Sequence, residues 1–378
     1  MKLAKSTWVM FGIWGVLAFL NVLARCSRAF SDWYVMNIFP HFSTFWARFT
    51  GAFPFSVGEL LIVLAVIVGV PAIIAFPCFM IFAKAHRGMV ARIYGKTIGW
   101  ILTWVFTVLT LHFFILYQCT PFGDKYYPNA PQNYSADEVR AVLSQMIMEA
   151  NKTAELVSRD EKGQFIISEE DLQAEAKKSM QRLGEKYPQY AGFYPDAKGI
   201  FWSDVMTKQW ILGIYYPFSM EANYNTNMCP INLPNTLCHE YTHLKGNIFE
   251  DEAGFLAFLA CMQSDSADFR YSGYVQALEY VMDVAWDVDP EGVITSQLSE
   301  EVWADMYCFV PEEYWEEHED DIEIIPDEVV EEVADVVMDT SLKVNGIEDG
   351  SLSYGRMVDL ILDYYIQENK LAQKEGTE

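Results

Sequence analysis

Long apolar runs without a charged residue dominate the first third of the chain. Residues 60–83 form one run of 24 and residues 97–118 another of 22. As helices rising about 1.5 Å per residue, both can cross a hydrocarbon core of about 30 Å. A shorter run of 17 residues at 8–24 follows Lys2 and Lys5. We interpret it as an anchor rather than a signal peptide, because no cleavage site of small residues follows. The sequence therefore predicts three transmembrane helices, at about 8–24, 60–83 and 97–118.

Charge divides the chain at the end of the third run. Residues 1–118 carry a net charge of +7, whereas residues 119–378 carry −33, giving −26 for the whole chain. The apolar share of 52% is too high for a disordered polymer. We therefore expect a membrane domain at 1–118 and an acidic domain at 119–378.

Basic residues predict the orientation of the membrane domain. Lys84, Arg87, Arg92 and Lys96 lie in the predicted 13-residue connection between the second and third helices, and two lysines precede the first helix. Three arginines lie in the opposite loop, so the bias is six to three. Because cytoplasmic loops are enriched in Lys and Arg, the acidic domain is predicted to be extracytoplasmic.

Two features of the membrane domain carry weaker signals. The segment 25–57 is rich in aromatic residues and is typical of an interfacial segment among lipid headgroups, with a substrate gate as the alternative. His112 is the one ionisable side chain inside a predicted span. His112 lies six residues from the end of the third predicted helix, close to the membrane surface, so we interpret it as solvated rather than as a proton or metal site.

The acidic domain is predicted to be mostly helical. Ser135 with Glu138, and Ser168 with Asp171, are typical helix starts. Residues 199–227 are rich in Gly, Pro and Asn among aromatics and predict a short strand or hairpin. The remaining helices are predicted at 233–245, 251–262, 271–286, 297–309, 327–338 and 351–366, with a solvated acidic loop over 312–327.

The sequence H-E-Y-T-H at 239–243 carries the strongest chemical signal. Positions four apart share one face of a helix, so His239 and His243 can bind one metal ion while Glu240 lies near its open coordination position. This is the HExxH pattern of zinc hydrolases. Pro234 and Asn235 are suited to start the helix and Gly246 to end it. The sequence predicts a Zn²⁺ site with Glu240 as general base.

A catalytic zinc site needs a third protein ligand. Glu250, Asp251 and Glu252 all offer carboxylates. Small residues at 254, 257 and 261 share a helix stripe with Glu250 and would allow close approach to the motif helix. We therefore prefer Glu250 as the third ligand, with Glu252 as the alternative, because a shift of the helix boundary would reverse the order.

Four segments together resemble one known family. They are HEYTHLKGNIFEDEAGFLAFLAC (239–261), GIYYPFSMEAN (213–223), FRYSGY (269–274) and PFSVGE (54–59). The family comprises bacterial polytopic membrane proteins with a domain of unknown function, described as metalloprotease-like, and the resemblance spans nearly the whole chain. Its members imply a mainly α fold, with three membrane helices followed by a predominantly helical, zincin-like extracytoplasmic domain in the bacterial cytoplasmic membrane.

A more distant resemblance concerns the third ligand. Glu250-x-x-Ala253 is similar to the Glu-x-x-Ala/Ser-Asp element of gluzincin peptidases, whose first Glu binds zinc. Gly254 stands where that element has Asp, so a carboxylate that would orient a ligand His is missing or supplied elsewhere.

These features favour a membrane-anchored zinc metallopeptidase. We expect a peptide or protein substrate and a lipid bilayer as partners, and no nucleic acid. Arg270 and Tyr271 are candidate oxyanion donors, although packing explains them better. The segment 221–227 could pair with a substrate peptide as an edge strand, or form a structural turn. The alternative function is an inactive binding or scaffold protein with a structural zinc site; a transporter is disfavoured, because three helices give little pore wall.

Cysteines add little to these predictions. Five of them, at 119, 229, 238, 261 and 308, lie in the acidic domain, so at least one cannot pair within it. We therefore do not predict a stable disulfide in this domain.

Overall fold

The computed structural model describes residues 5–128, 134–318 and 355–375, with side chains of the last helix described over 356–367. Within them the fold is mainly helical, as predicted, with one small sheet. The chain divides into two units. The first comprises Met1–Cys119 and Tyr216–Glu221, and the second comprises Thr120–Tyr215 and Ala222–Glu378. The predicted helix at 327–338 and part of the predicted acidic loop at 312–327 lie outside the described residues.

The first unit contains the three predicted membrane helices. Helix α1 is Lys5–Cys26, α4 is Val57–Phe82, and α5 is Arg87–Leu109, which continues through a π-helical turn, Thr110–Phe114. Three helical stretches of the described chain, Lys5–Cys26, Val57–Phe82 and Lys84–Gln118, are long and apolar enough to span a bilayer. The prediction of three helices long and apolar enough to span a membrane is therefore confirmed.

The prediction of a 13-residue connection between the second and third spans was wrong. Only a short 3₁₀ turn, Lys84–His86, separates α4 from α5. Arg92 and Lys96 lie on α5 itself. A helix can carry Lys and Arg near a membrane surface because their long, flexible side chains extend the charged group toward water.

The aromatic segment between α1 and α4 forms two helices, α2 (Arg28–Asn37) and α3 (Phe39–Thr50). Several large aromatic side chains on them are exposed, among them Trp33 at 52% and Phe45 at 64%. Exposed aromatics on short helices suit a lipid interface. The interfacial interpretation stays a prediction, as does the alternative of a gate.

The prediction that His112 is solvated was wrong. Its side chain is buried, and its Nδ1 lies 2.8 Å from the carbonyl oxygen of Pro217. The same short segment, Tyr216–Glu221, supplies the Glu221 carboxylate that accepts hydrogen bonds from the amides of Val57 (3.1 Å) and Gly58 (2.8 Å). A carboxylate at this position satisfies otherwise unpaired amides at the start of α4. Sequence separations above 100 residues hid both contacts.

The second unit is built around three helices, α10 (Leu233–Leu244), α11 (Glu250–Met262) and α12 (Ala267–Val288). Beyond its acidic first turn, α11 is apolar all round and almost entirely buried, which makes it the centre of the core. The other helices of this unit in the described residues are α6 (Phe122–Tyr126), α7 (Ala136–Ala154), α8 (Glu169–Lys186), α9 (Ser203–Thr207), α13 (Glu300–Met306), α14 (Glu312–Glu317) and α15 (Gly355–Glu375).

Most of the predicted helix starts agree with these bounds. Ser135 and Glu138 form a complete capping box before α7, and Ser168 accepts a hydrogen bond from the Asp171 amide before α8. Helix α12 begins four residues earlier than predicted because Ser266 provides its N-cap. Helix α13 is shorter than its predicted range of 297–309 because Ser299 caps it at Glu300.

The predicted strand segment forms a small sheet. Strands β1 (Lys198–Ile200), β2 (Gly213–Tyr216) and β3 (Glu221–Asn225) lie in the order β1-β3-β2 in the described chain. β1 and β3 are parallel, with Lys198 opposite Asn223. The central position therefore belongs to β3, and β2 lies at an edge.

The structure contains a disulfide that the sequence did not predict. Cys229 and Cys308 are bonded across 79 residues of sequence and join the start of the motif-helix region to the segment after α13. An odd number of cysteines excludes complete pairing but leaves any single pair open, and only the fold shows which two are close. Cys119, Cys238 and Cys261 form no disulfide among the described residues.

Candidate metal centre

Local sequence fixes the ends of the motif helix, α10. A 3₁₀ turn, Pro230–Asn232, leads into it, and Pro234 occupies the first turn, where its missing amide costs no hydrogen bond. The helix ends at Leu244. Gly246 follows with φ of 84°, a left-handed conformation that glycine adopts without steric cost, and its amide donates to the His243 carbonyl at 2.9 Å.

The side chains of His239, His243 and Glu250 converge on one point. The two Nε2 atoms are 3.2 Å apart. The Glu250 Oε2 atom lies 3.0 Å from His239 Nε2 and 3.6 Å from His243 Nε2. Carboxylate oxygen and imidazole nitrogen are ordinary zinc ligands, and in tetrahedral coordination with bonds of about 2.0 to 2.1 Å the ligand atoms lie about 3.3 Å from one another. These donor atoms therefore fit a single zinc ion.

Glu240 also borders this cluster but is better suited to a different role. Its ligand atom, with those of His239 and His243, lies within 4.8 Å of the others, a looser spacing than Glu250 provides. The side chain is buried, and its Oε2 has no hydrogen-bond partner among the described residues. Burial raises the pKa of the carboxyl to about 7, against the opposing effect of the two imidazoles. A carboxylate whose pKa is near neutrality can act as a general base.

The three consecutive acids at the start of α11 point in different directions. Asp251 pairs with Arg356 of α15 at 3.0 Å. Glu252 accepts hydrogen bonds from the Asn247 side chain (3.1 Å) and the Gly123 amide (3.4 Å), and burial together with Asp251 raises its pKa to about 8. Glu250 alone of the three contacts the histidines in the described structure. The placement agrees with our preference for Glu250, and its role as a ligand stays a prediction.

Electrostatics in the cluster favour a bound cation. Burial alone would raise the pKa of Glu250, but His243 and His239 hold it well below its usual range. Conversely, burial would lower the pKa of His243, but Glu250 and Glu240 raise it to about 9. The buried carboxylate of Glu240 and the partly exposed carboxylate of Glu250 lie beside two imidazoles and thus attract positive charge, which either a proton or a metal ion supplies.

A backbone carbonyl orients His243. Its Nδ1 lies 2.7 Å from the Asn247 carbonyl oxygen. Because a carbonyl has no proton, Nδ1–H donates, and the neutral ring then carries its lone pair on Nε2, the atom facing His239 and Glu250. The Asn247 side chain is in turn held by Glu252 and by the Tyr190 hydroxyl, at 3.1 and 3.2 Å. In gluzincin peptidases the similar element has an Asp that would orient a ligand His, and this chain has Gly254 at that position. Here the Asn247 carbonyl orients His243 instead.

Gly254 has a different function from the one predicted. A Cβ atom there would lie 2.9 Å from the Met357 sulfur of α15, so the glycine accommodates the C-terminal helix rather than α10. Farther along the same stripe, Cys261 does face α10, where the Asn235 amide lies 3.9 Å from its sulfur. The small-residue stripe therefore serves two neighbouring helices. The predicted close approach to the motif helix is seen at Cys261, whereas Gly254 lies against Met357.

Gly213, at the start of β2, lies directly against Glu240. A Cβ atom at this position would be 2.5 Å from Glu240 Oε1 and 2.7 Å from Thr236 Cγ2. Only glycine lets the strand pass this close. This role of Gly213 was not predicted, although a glycine at the start of a strand can indicate close approach of the backbone to another group.

A cavity of about 300 Å³ adjoins the cluster. His239, Glu240 and Glu250 line it together with Gly213, Gly254 and Met357. The segment 209–212, Asn235, Thr236 and two residues of α12, Gln276 and Tyr280, complete its walls. The cavity is therefore large enough for a small molecule or one stretch of a peptide to reach His239, Glu240 and Glu250.

The two candidate oxyanion donors lie elsewhere. Tyr271 donates to Asp305 at 2.5 Å and accepts from Arg159, and Arg270 donates to the Ser264 carbonyl at 2.7 Å. Neither residue lines the cavity. Both stabilise packing, as we preferred. Tyr280, about two and a half helical turns beyond Tyr271 on α12, supplies the phenol on the cavity wall among the described residues.

The prediction that 221–227 could be a substrate-pairing edge strand was wrong. Most of it forms β3, the central strand, and its asparagines are already engaged: Asn225 Nδ2 donates to Thr207 Oγ1 (3.0 Å) and Asn223 Nδ2 to the Ile214 carbonyl (3.2 Å). β2 lies at the edge of the sheet and begins at the cluster.

Comparison with known families gives one match. The model of a protein family of unknown function, DUF3810, matches residues 34–362. No curated protein and no solved structure matches the chain. The predicted resemblance to a family of unknown function is thus supported, while the metalloprotease-like character of that family stays a prediction. Because the match covers most of both units, the chain belongs to the DUF3810 family.

Proposed function

We propose that this protein is a membrane-anchored, zinc-dependent hydrolase, and specifically a metallopeptidase. The observation that carries the proposal is the convergence of His239 Nε2, His243 Nε2 and Glu250 Oε2 at mutual distances of 3.0 to 3.6 Å. This set borders a cavity, and beside it lies the buried Glu240 Oε2, which has no hydrogen-bond partner in the described part of the chain. A closed structural zinc site has four protein ligands, whereas three ligands beside a cavity are typical of a catalytic site.

The protein groups have distinct roles in the proposed reaction. Bound zinc supplies a Lewis acid that activates water and polarises a substrate carbonyl. Glu240 accepts the proton of the attacking water at its buried carboxylate and can return it to the leaving amine. Asn247 holds the His243 ring in the tautomer that presents Nε2 to the cluster. The Gly213 backbone packs on Glu240 and limits the positions that its carboxylate can take.

A peptide substrate is favoured by the neighbouring sheet edge. β2 begins at Gly213 against Glu240 and lies at the edge of the sheet. Extended peptides bind such edges through backbone hydrogen bonds. An amide bond lying along β2 would therefore pass close to the proposed base.

Zinc content tests the metal part of the proposal. Protein purified in detergent is expected to contain about one zinc per chain by elemental analysis. Changing both His239 and His243 to Ala should remove it, because two of three ligands are lost. His318→Ala is the matched control, since that ring contacts only the Tyr314 carbonyl and ring among its described partners. Folded wild-type protein that never binds zinc would contradict the proposal.

The second unit is proposed to face the extracytoplasmic side of the bacterial cytoplasmic membrane. Basic residues cluster at the turn between α4 and α5, which favours a cytoplasmic location for that turn. The Cys229–Cys308 disulfide adds support, because such bonds persist in oxidising compartments.

Reporter fusions test this orientation. A reporter that is active only in the cytoplasm should work when inserted at Gly88 and fail when fused after Glu378, because the two positions are predicted to lie on opposite sides. A reporter that requires an oxidising compartment should give the reverse pattern. The opposite result from both reporters would place the second unit in the cytoplasm.

A further inference from the structure

The lining of the cavity carries information about the substrate that the zinc cluster does not. We propose that the site accepts an internal segment of a polypeptide with an uncharged, apolar side chain beside the cleaved bond, and that Trp210 is a determinant of this preference. This inference rests on the proposed peptidase function and adds the substrate class.

The charges on the cavity wall argue against recognition of a peptide terminus. Among the described residues that line it, the only carboxylates and imidazole are those of Glu240, Glu250 and His239, and neither Lys nor Arg contributes. A free α-amino group needs a spare carboxylate, and a free α-carboxylate needs a cationic partner, because burying an unpaired charge is costly. Both carboxylates already have roles in the proposed reaction. The wall thus favours a peptide bond whose flanking groups are neutral amides.

The remaining wall is suited to an apolar side chain. Trp210, Ile211 and Leu212 approach from the segment before β2, and the buried Met357 approaches from α15. Neutral polar groups, such as Asn235 and Gln276, lie between these apolar surfaces and can hold the substrate backbone. A volume of about 300 Å³ is at the lower end for ligand pockets, which suits one side chain with its adjoining peptide bond.

Trp210 is unusual in both exposure and backbone conformation. Its side chain is 58% exposed although it lines the cavity, and its φ of 54° lies in the left-handed region that bulky residues avoid. The local backbone is held by the Trp210 amide donating to the Thr207 carbonyl at 3.1 Å and by the Ile211 amide donating to the Met206 carbonyl at 3.0 Å. Strained residues of this kind concentrate at ligand-contacting positions.

Neighbouring aromatics extend the Trp210 surface. The Trp210 ring centroid lies 4.8 Å from that of Phe309 and 6.2 Å from that of Trp315, which is itself 43% exposed. Together these rings form an exposed aromatic cluster next to the cavity. Rigid aromatic side chains of this kind are common anchors for apolar ligand groups.

The test uses a defined mixture of synthetic peptides incubated with the purified full chain and analysed by mass spectrometry. Each peptide is supplied with free termini and with an acetylated N terminus and amidated C terminus. We expect internal cleavage beside apolar residues, at about equal rates for both forms, and no cleavage by Glu240→Gln. Cleavage confined to terminal residues, or abolished by blocking a terminus, would overturn the inference while leaving a peptidase.

Trp210→Gly tests the role of the ring. Glycine adopts the observed φ freely, and this relief of strain opposes the loss of the ring contacts with Phe309 and Trp315, so the variant should stay folded, which a thermal melt checks. The preference for apolar over charged residues at the cleaved bond should fall about tenfold. Trp286→Ala is the control, because Trp286 is similarly exposed (62%) but does not line the cavity. An unchanged preference in a stable Trp210→Gly protein would exclude Trp210 as a determinant.

If no peptide is cleaved, the proposed catalysis is contradicted. A binding measurement then still tests the proposed substrate class. N-acetyl-leucine hydroxamate, leucine hydroxamate and N-acetyl-glutamate hydroxamate share a zinc-chelating group and differ in charge. We expect the first to raise the melting temperature of the zinc-loaded protein most, and to do so less in Trp210→Gly. Stronger binding of the free-amine or the acidic compound would overturn the substrate class.

Discussion

Glu240→Gln is expected to lower peptide hydrolysis by about 10² to 10⁴-fold and to leave zinc content and folding nearly unchanged. Gln has almost the same shape as Glu, so it fits under Gly213, but it cannot accept a proton from water. The wild-type carboxylate is 4% exposed and its Oε2 has no partner among the described groups. The substitution therefore removes proton transfer while it preserves packing.

The same variant distinguishes the peptidase from a scaffold protein with a structural zinc. In a scaffold, Glu240 performs no chemistry, so its replacement should leave the phenotype of a cell unchanged. Glu185→Gln, on the exposed part of α8, is the matched control for removal of a carboxylate. Retained hydrolysis in zinc-loaded Glu240→Gln protein would remove Glu240 from the mechanism, and loss of zinc would show that Glu240 is itself a ligand.

The features that could be predicted from the sequence are those encoded over short distances. Uninterrupted apolar runs predict membrane helices because a helix satisfies its own backbone. The spacing of His239 and His243 predicts a shared helix face because four residues make about one turn. The capping box at Ser135 and Glu138 predicts a helix start because both hydrogen bonds are local.

The features that could not be predicted depend on contacts between distant segments. His112 is buried, and its ring contacts a carbonyl 105 positions away in the sequence. The pairing of Cys229 with Cys308 depends on how α13 approaches the motif-helix region. Strand order has the same origin: alternation of residues predicts strands, but it does not determine which of two neighbouring strands is at the edge.

The surroundings of the candidate site were partly hidden for the same reason. Asn247 orients His243 through its backbone carbonyl, which any residue type could provide, so no side-chain pattern marks it. Met357 reaches the cavity across about a hundred positions from Gly254, and Trp210 contributes through an unusual φ that composition does not predict. The gluzincin-like element has an aspartate where this chain has Gly254, and the sequence did not show that Met357 of α15 lies against that glycine.

Glu250→Gln is expected to weaken zinc binding by more than about 100-fold, since even the loss of a partner behind a ligand costs about 10 to 100-fold. The amide keeps the size of the side chain and its helix propensity but removes the anionic oxygen that lies 3.0 Å from His239 Nε2. Competition with a chelator of known affinity measures the change. A thermal melt of the metal-free protein checks that the fold survives.

Glu252→Gln is the control for this prediction because it removes a second carboxylate from the same helical turn. Glu252 contacts Asn247 and the Gly123 amide rather than the histidines. Its loss should therefore act only through Asn247 and weaken zinc binding by about tenfold or less. If Glu252→Gln lost zinc while Glu250→Gln kept it, Glu252 would replace Glu250 in the site. Both acids lie in the first turn of α11, so a rotation of that turn would suffice to exchange them.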